Sequence, residues 1–502
     1  MYPGYSEAIL SIKGTPTSAL VGSTLAFFTG FAPLAVFGPT VAKAPALSNF
    51  ARAMLLASPT LTGSVLRLPA GANVDNTGGR RFALSMLAAS NIGMLGLTAL
   101  AFTTDLESLT AAKPEYYAWL AAGAAAGSGI AVFPSGVGNT TYWNPRNESG
   151  KKQGIFGGVG NLAPGIFALS MPLVMNAVGG ANGVANTYVI WFALLAVETL
   201  ATSALFINPP FHQLVHNEKN PVPPNVARLI AADLGEEHFP PQHPSTTIGV
   251  LKQFKKDRNK VLVGAYFVSF GGFMAATIMF PPAYKEQGLS LERAGIVTAA
   301  YSITSSLTRA ATGGLADKYG GGIITNIGMA GIMIAGAALA LSEDPLSALD
   351  ITGLIALAVG GGLANAAVYK WIASFKEDVG SVGGLVGALG AMGGFIIPLI
   401  LSGIDELGGV GYGMFTYTAL AAAAILANIW LMKQRPAVVM DIPARSVSVP
   451  VSEVVPAASL PLPLYNASIS GDVPVQALGS ELRVVNHDAF VNTANKVRIS
   501  SV

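Results

Sequence analysis

Arginine is costly inside an apolar, membrane-length segment, and this chain has two there at matching positions. Arg67 stands in "TLTGSVLRLPAGANVDNTGGRR" (60–81) and Arg309 in "SSLTRAATGGLADKYGGG" (305–322). Each precedes an aspartate, Asp75 or Asp317, by two helical turns, or ~12 Å along the axis. A guanidinium at that depth needs a polar cavity or a partner, and no carboxylate stands at a matching depth in the neighbouring apolar segments. Two planar forks of N–H donors facing one cavity suit a planar oxyanion. The competing reading is structural: each side chain reaches the interface or donates to backbone carbonyls.

A second pattern accompanies the arginines. "GIFGGVGNLAPGIF" (154–167) carries five glycines in fourteen residues with one amide, Asn161, among them, and "GGLVGALGAMGGFIIP" (383–398) repeats the glycine stripe later in the chain. Glycine faces allow close approach of neighbouring backbones, or of a small ligand to main-chain groups. Asn161 is either a neutral, directional donor to such a ligand or half of an interhelical hydrogen bond.

Long helices must hold these groups. Of 502 residues, 51% are hydrophobic and 11% charged, against roughly 25% charged in soluble domains. About 20 apolar residues cross a bilayer, and the chain reads as an all-α polytopic membrane protein with twelve such helices. Six lie near 17–42, 52–74, 81–104, 116–142, 151–176 and 184–208, and six near 260–284, 291–314, 321–342, 350–374, 380–403 and 411–433. The expected organisation is an N-terminal segment 1–16, a six-helix bundle 17–208, a polar central loop 209–259, a second bundle 260–434 and a disordered tail 435–502. Lys and Arg concentrate in loops 2–3 and 4–5 and in "LKQFKKDRNK" before the seventh span, so both termini and the central loop are expected in the cytoplasm.

The two halves repeat. Both arginines open the pattern R-x-x-x-G-x-x-x-D-x-x-G-G, with Gly71, Asp75 and Arg80 in the first copy and Gly313, Asp317 and Lys318 in the second. An aspartate there can cap a helix start and the glycines can make a tight turn. The pair resembles the loop 2–3 and loop 8–9 signature of the major facilitator superfamily. The resemblance implies two pseudo-symmetric six-helix bundles, the major facilitator fold, rocking about a central site. "GGVGN" (157–161), "GLVGALGAMGGF" (384–395), "NTTYWNP" (139–145) and "SFGGF" (269–273) further resemble the nitrate/nitrite porters of that superfamily. By that resemblance Arg67 and Arg309 clamp the anion, and Asn161 and Tyr266 donate to its oxygens. Gly157 and Gly384 leave room for it, Phe133 and Phe270 pack on its planar face, and Asn139 occupies the family's asparagine position.

The expected function is therefore secondary transport of nitrate and nitrite in the plasma (inner) membrane, by nitrate/nitrite exchange, with the lipid bilayer as the other partner and a monomer as the working unit. The five histidines lie outside the apolar segments, and Glu198 is the main carboxylate within them, so the site lacks an obvious proton carrier. Lys370, in "ANAAVYKWIASF" (364–375), and Glu198 are the candidate coupling residues for a second mode, nitrate/proton symport. Two further functions would suit the same arginines: transport of another small anion, and anion sensing without transport. The absence of cysteine excludes a disulfide framework and a thiol nucleophile. A net charge of +2 invites no nucleic acid. No phosphate-cradling loop, nucleophile triad or metal-ligand spacing is present, so neither an enzyme nor a bound cofactor is expected.

Overall fold

The computed structural model describes residues 3–35, 37–41, 43–179, 182–374, 379–408 and 411–434. The whole of the tail read at 435–502 lies outside them. Twelve helical passes run through the described part. In the first half these are α1 (Pro16–Ala35), α2 (Asn49–Val65 continued by Arg67–Thr77), α3 (Arg80–Thr103), α4 (Pro114–Trp143), α5 (Lys151–Val178) and α6 (Gly183–Leu205). In the second they are α7 (Asp257–Glu286), α8 (Leu291–Tyr319), α9 (Gly321–Ala340), α10 (Ala348–Ile372), α11 (Ser381–Leu407) and α12 (Tyr412–Gln434).

Local chemistry sets the ends. Thr15 and Ser18 form a capping box before α1, with Pro16 at its first position. Ser48 and Ser290 cap α2 and α8. Gly78 and Gly79, at φ +82° and +87°, turn α2 into α3.

Ten of the twelve are long and apolar enough to cross a membrane by composition alone. The two that are not, α2 and α8, carry Arg67 and Arg309. They tolerate polarity because they are the inner walls between the bundles: α2 packs along α11, and α5 along α8. The outermost helices are α6 and α12, with only 22% and 28% of their apolar windows buried, against 83% for the central α7.

Five helices depart from regular α geometry in their interior, away from their terminal turns. α2 turns at Leu66, α4 tightens to a 3₁₀ stretch at Gly127–Ala131, and α5 breaks at Asn161. α7 widens to a π-bulge at Phe267–Gly271 and α11 turns at Met392. Irregular backbone inside a membrane persists where protein groups take up the freed carbonyls, and π-bulges mark functional positions.

Two features differ from the sequence reading. Asp75 does not cap α3, whose N-cap is Gly79. Asp75 is instead buried within α2, where its carboxylate accepts from Tyr142 (2.7 Å, α4), Ser245 (2.8 Å, central segment) and Ser381 (3.2 Å, α11). The central segment is also more than a connector. It forms three short helices, Pro210–Val215, Pro224–Asp233 and Thr247–Lys252. Phe211, Leu214, Ile230 and Ala231 make a small core there with Ala8, Tyr5 and Ile9 of the N-terminal segment. His212 and His216 bond the carbonyls of Asp75 and Asn76 (3.0 and 2.9 Å), tying that core to the end of α2.

Candidate anion site

The helix irregularities surround two buried arginines. Arg67 is fully buried, and its Nε and Nη2 both donate to the Ile130 carbonyl (3.2 Å each), which belongs to the 3₁₀ stretch of α4. Its Nη1 donates across the bundle interface to the Gly387 carbonyl of α11 (3.0 Å). The structural use of an arginine foreseen from the sequence, bonding to carbonyls, is thus present at Arg67. Arg309 differs: it is 3% exposed and its Nη1 has no hydrogen-bond partner among the described residues.

Phe133 and Phe270 hold the two cations together. The Arg67 Cζ lies 4.9 Å from each ring centroid, and the Arg309 Cζ 5.4 and 5.7 Å from the same rings. The electron-rich faces lower the cost of two like charges in a dry interior. Tyr266 stacks on Phe270 at 4.7 Å. Its hydroxyl lies beside the guanidinium groups and Tyr369 without meeting hydrogen-bond geometry to any of them. Asn161 is 1% exposed, with its Oδ1 unpartnered and its carbonyl accepting from Ser306 of α8 (2.9 Å). Among the described residues, no ion pair engages either arginine.

The glycines divide into two roles. A Cβ on Gly157 would lie 2.6 Å from Arg309 Nε, so this glycine makes space for the guanidinium. A Cβ on Gly384 would meet the Gly71 Cα at 2.8 Å, and one on Gly154 would lie 3.4 Å from the Gly313 Cα. Those glycines let α11 approach α2 and α5 approach α8.

Other residues singled out from the sequence lie elsewhere. Asn139 donates to Ser23 of α1 (2.9 Å), six residues beyond Phe133 and ~9 Å along the helix. Arg80 donates to the Ser203 (2.6 Å) and Phe206 carbonyls at the end of α6. The Lys318 ammonium sits over the Tyr319 ring at 5.1 Å. The side chain of Asp317 lies outside the described residues. Lys370 is half-buried on α10, and the half-buried Glu198 faces Thr29 of α1. Sequence reasoning missed Tyr369, whose ring packs edge-on against Phe133 (5.1 Å) and Tyr266 (5.0 Å). Its only signal was adjacency to Lys370, which points ~100° further round the helix.

Two buried cations, shared aromatic faces and unpartnered donors thus meet between equivalent helices of the two halves. The sequence profile of the Major Facilitator Superfamily matches residues 19–398 and, in a second overlapping match, 263–469. The chain belongs to the Major Facilitator Superfamily. Within this superfamily the resemblance to the nitrate/nitrite porters holds. The "Nitrite extrusion protein" of Bacillus subtilis is 29% identical over 395 residues, covering 77% of this chain and 87% of its own. The "Probable nitrate/nitrite antiporter NarK1" of Thermus thermophilus is 25% identical over 437 residues, covering 82% and 89%. Among solved structures, a partially occluded inward-open form of the xylose transporter XylE from E. coli superposes with a TM-score of 0.63 at 13% identity, covering 84% of this chain and 98% of its own. At that identity the likeness establishes the major facilitator fold alone. The protein is an integral membrane protein of this superfamily, whose structural neighbours are transporters.

Proposed function

We propose that this protein carries nitrate and nitrite by alternating access, exchanging one for the other. The observation that supports this most is the pair of buried guanidinium groups, one from each half, over the shared faces of Phe133 and Phe270. The names of the relatives support the choice of anion. An anion between the arginines would relieve their mutual repulsion and so draw the two halves together. The uncommitted Arg309 Nη1 and the Tyr266 hydroxyl would bond its oxygens, and Asn161 would offer its amide.

The seams between the halves supply the two gates. At one end Asp75 receives Ser381, and Gly384 meets Gly71. At the other, Arg52 pairs with Glu286 and Asn176 bonds Glu292. The distribution of Lys and Arg supports placing the Asp75 end, both termini and the central segment in the cytoplasm. Exchange is favoured over symport because, among the described residues, the ionisable groups that bear on Arg67 are Tyr266, Tyr369 and Arg309, with no carboxylate.

Proteoliposomes test this. Nitrite-loaded vesicles should take up external labelled nitrate at fixed pH. Accumulation of nitrate driven by an imposed proton gradient, with no nitrite inside, would overturn exchange in favour of symport. Failure to move either anion would overturn the substrate.

A further inference from the structure

Asn365 on α10 is a buried polar side chain with no part in the clamp or the gates. It is 1% exposed, and neither its Oδ1 nor its Nδ2 has a hydrogen-bond partner among the described residues. A buried amide with both ends unpaired is rare enough to require an explanation. Its place on the helix supplies one. Asn365 follows Gly361 and Gly362 by one turn and precedes Tyr369 by one turn, so the four share a face. A Cβ on Gly362 would lie 2.5 Å from the Ser305 carbonyl and 3.0 Å from the Arg309 backbone nitrogen, so this face abuts α8 at the depth of Arg309. Tyr369, at the other end, packs on Phe133 and Tyr266. Along this face Asn365 therefore lies between the turn that abuts α8 at Arg309 and the turn that carries Tyr369.

We propose that Asn365 contacts the anion and selects nitrate over nitrite; this rests on the nitrate/nitrite function proposed for the same site. Arg67 already donates Nε, Nη1 and Nη2 to carbonyls. Three groups lack hydrogen-bond partners among the described residues: the Arg309 Nη1 and the Tyr266 hydroxyl near it, and the Asn365 amide on the α10 face that abuts α8. With the Asn161 amide they give each of the three oxygens of nitrate at least one donor. Nitrite has one oxygen fewer and satisfies fewer of these donors, and a site built to bond a group discriminates against the analogue that lacks it. Through its Oδ1 the amide can also accept from Arg309, which turns Nδ2 toward the anion.

The test is calorimetric titration of the purified full-length protein with potassium nitrate and potassium nitrite, in parallel with its melting temperature. Asn365→Ala and the near-isosteric Asn365→Leu should weaken nitrate binding on the order of tenfold or more, and nitrite binding several-fold less. Asn365→Ser, which keeps a hydroxyl donor, should recover part of the nitrate affinity. Equal weakening of both anions would overturn the selectivity role. Unchanged affinities with a lowered melting temperature would show a purely structural amide and overturn the contact itself. A wild-type protein that binds neither anion would instead overturn the nitrate/nitrite reading, and this inference with it.

Discussion

Gly157→Ala should uncouple anion binding from folding. The new Cβ would lie 2.6 Å from Arg309 Nε and 2.7 Å from its Cζ and Nη2, whereas carbon contacts settle at ~3.5–4.0 Å. The guanidinium, at the end of a flexible side chain, must retreat by roughly 1 Å. Gly157 is helical with ordinary φ, so alanine itself adds roughly 0.5–1 kcal/mol of helix stability. The loss falls on the ligand. With an effective dielectric of about 20, moving a unit charge from about 3 to about 4 Å reduces the attraction from ~5.5 to ~4 kcal/mol, which is about tenfold in affinity. A charge-assisted hydrogen bond broken by the same shift adds roughly 1.5–3 kcal/mol. Nitrate binding by calorimetry should therefore weaken on the order of 100- to 1,000-fold while the melting temperature holds or rises. A dissociation constant within twofold of wild type would refute the view that Gly157 positions Arg309 for the anion. A fall in melting temperature with normal binding would refute the division of costs.

Arg67→Lys and Arg309→Lys should each nearly abolish nitrate uptake, because an ammonium keeps the charge but not the fork. Arg67→Lys should also lower the melting temperature more, since it frees the Ile130 and Gly387 carbonyls; equal melting temperatures would count against the asymmetry. Asp75→Ala removes the acceptor of Tyr142, Ser245 and Ser381, so a cysteine placed at the buried Val382 should react faster with a soluble maleimide than in the Asp75 parent. The chain has no native cysteine to interfere, and equal rates would show that this carboxylate does not hold the gate. In the central segment, burial pushes the Glu236 carboxyl up to about 8, only partly offset by the Phe211 N–H and Arg228, and pushes the His212 imidazole down to about 4. Folded Glu236 keeps a proton that the unfolded chain releases above about 4.5, so its contribution is lost as pH rises toward 8; folded His212 lacks a proton that the unfolded chain binds below about 6.5, so its contribution is lost as pH falls toward 4. Protection of residues 210–237 against hydrogen exchange should peak near pH 4.5–6.5 and drop by roughly 2 kcal/mol by pH 8, and Glu236→Gln should flatten the alkaline limb. An alkaline limb that persists in that variant would rule Glu236 out as its cause.

The parts of this protein legible in its sequence were those announced by cost or repetition. Arg67 and Arg309 stand out because a charge in an apolar helix needs a reason, and their shared pattern marked the two halves. The twelve passes followed from segment length. What stayed hidden depends on helix rotation and on partners far away in the chain. Tyr369 and Asn365 look like core in an apolar helix until α10 is turned to face α8. Asp75 looked like a local cap because its partners, Tyr142, Ser245 and Ser381, are 67, 170 and 306 residues distant. The short core of the central segment has a local sign of its own: "PNVARLIAAD" starts with proline and spaces Ala227, Ile230 and Ala231 on one face.

The irregular turns of α2, α4, α5, α7 and α11 have a mechanical consequence. Each of those helices is two stiff rods joined at a pivot, and Arg67, Asn161 and the ring of Phe270 sit at or beside the pivots. A pivot is the point that moves least when either rod swings. In the proposed cycle the rods bearing Asp75 and Ser381 would splay while those bearing Arg52 and Glu286 stay shut, and the reverse, with the proposed seat of the anion nearly stationary throughout. Access would then change at the ends of the levers, and the binding geometry would be preserved at the fulcrum.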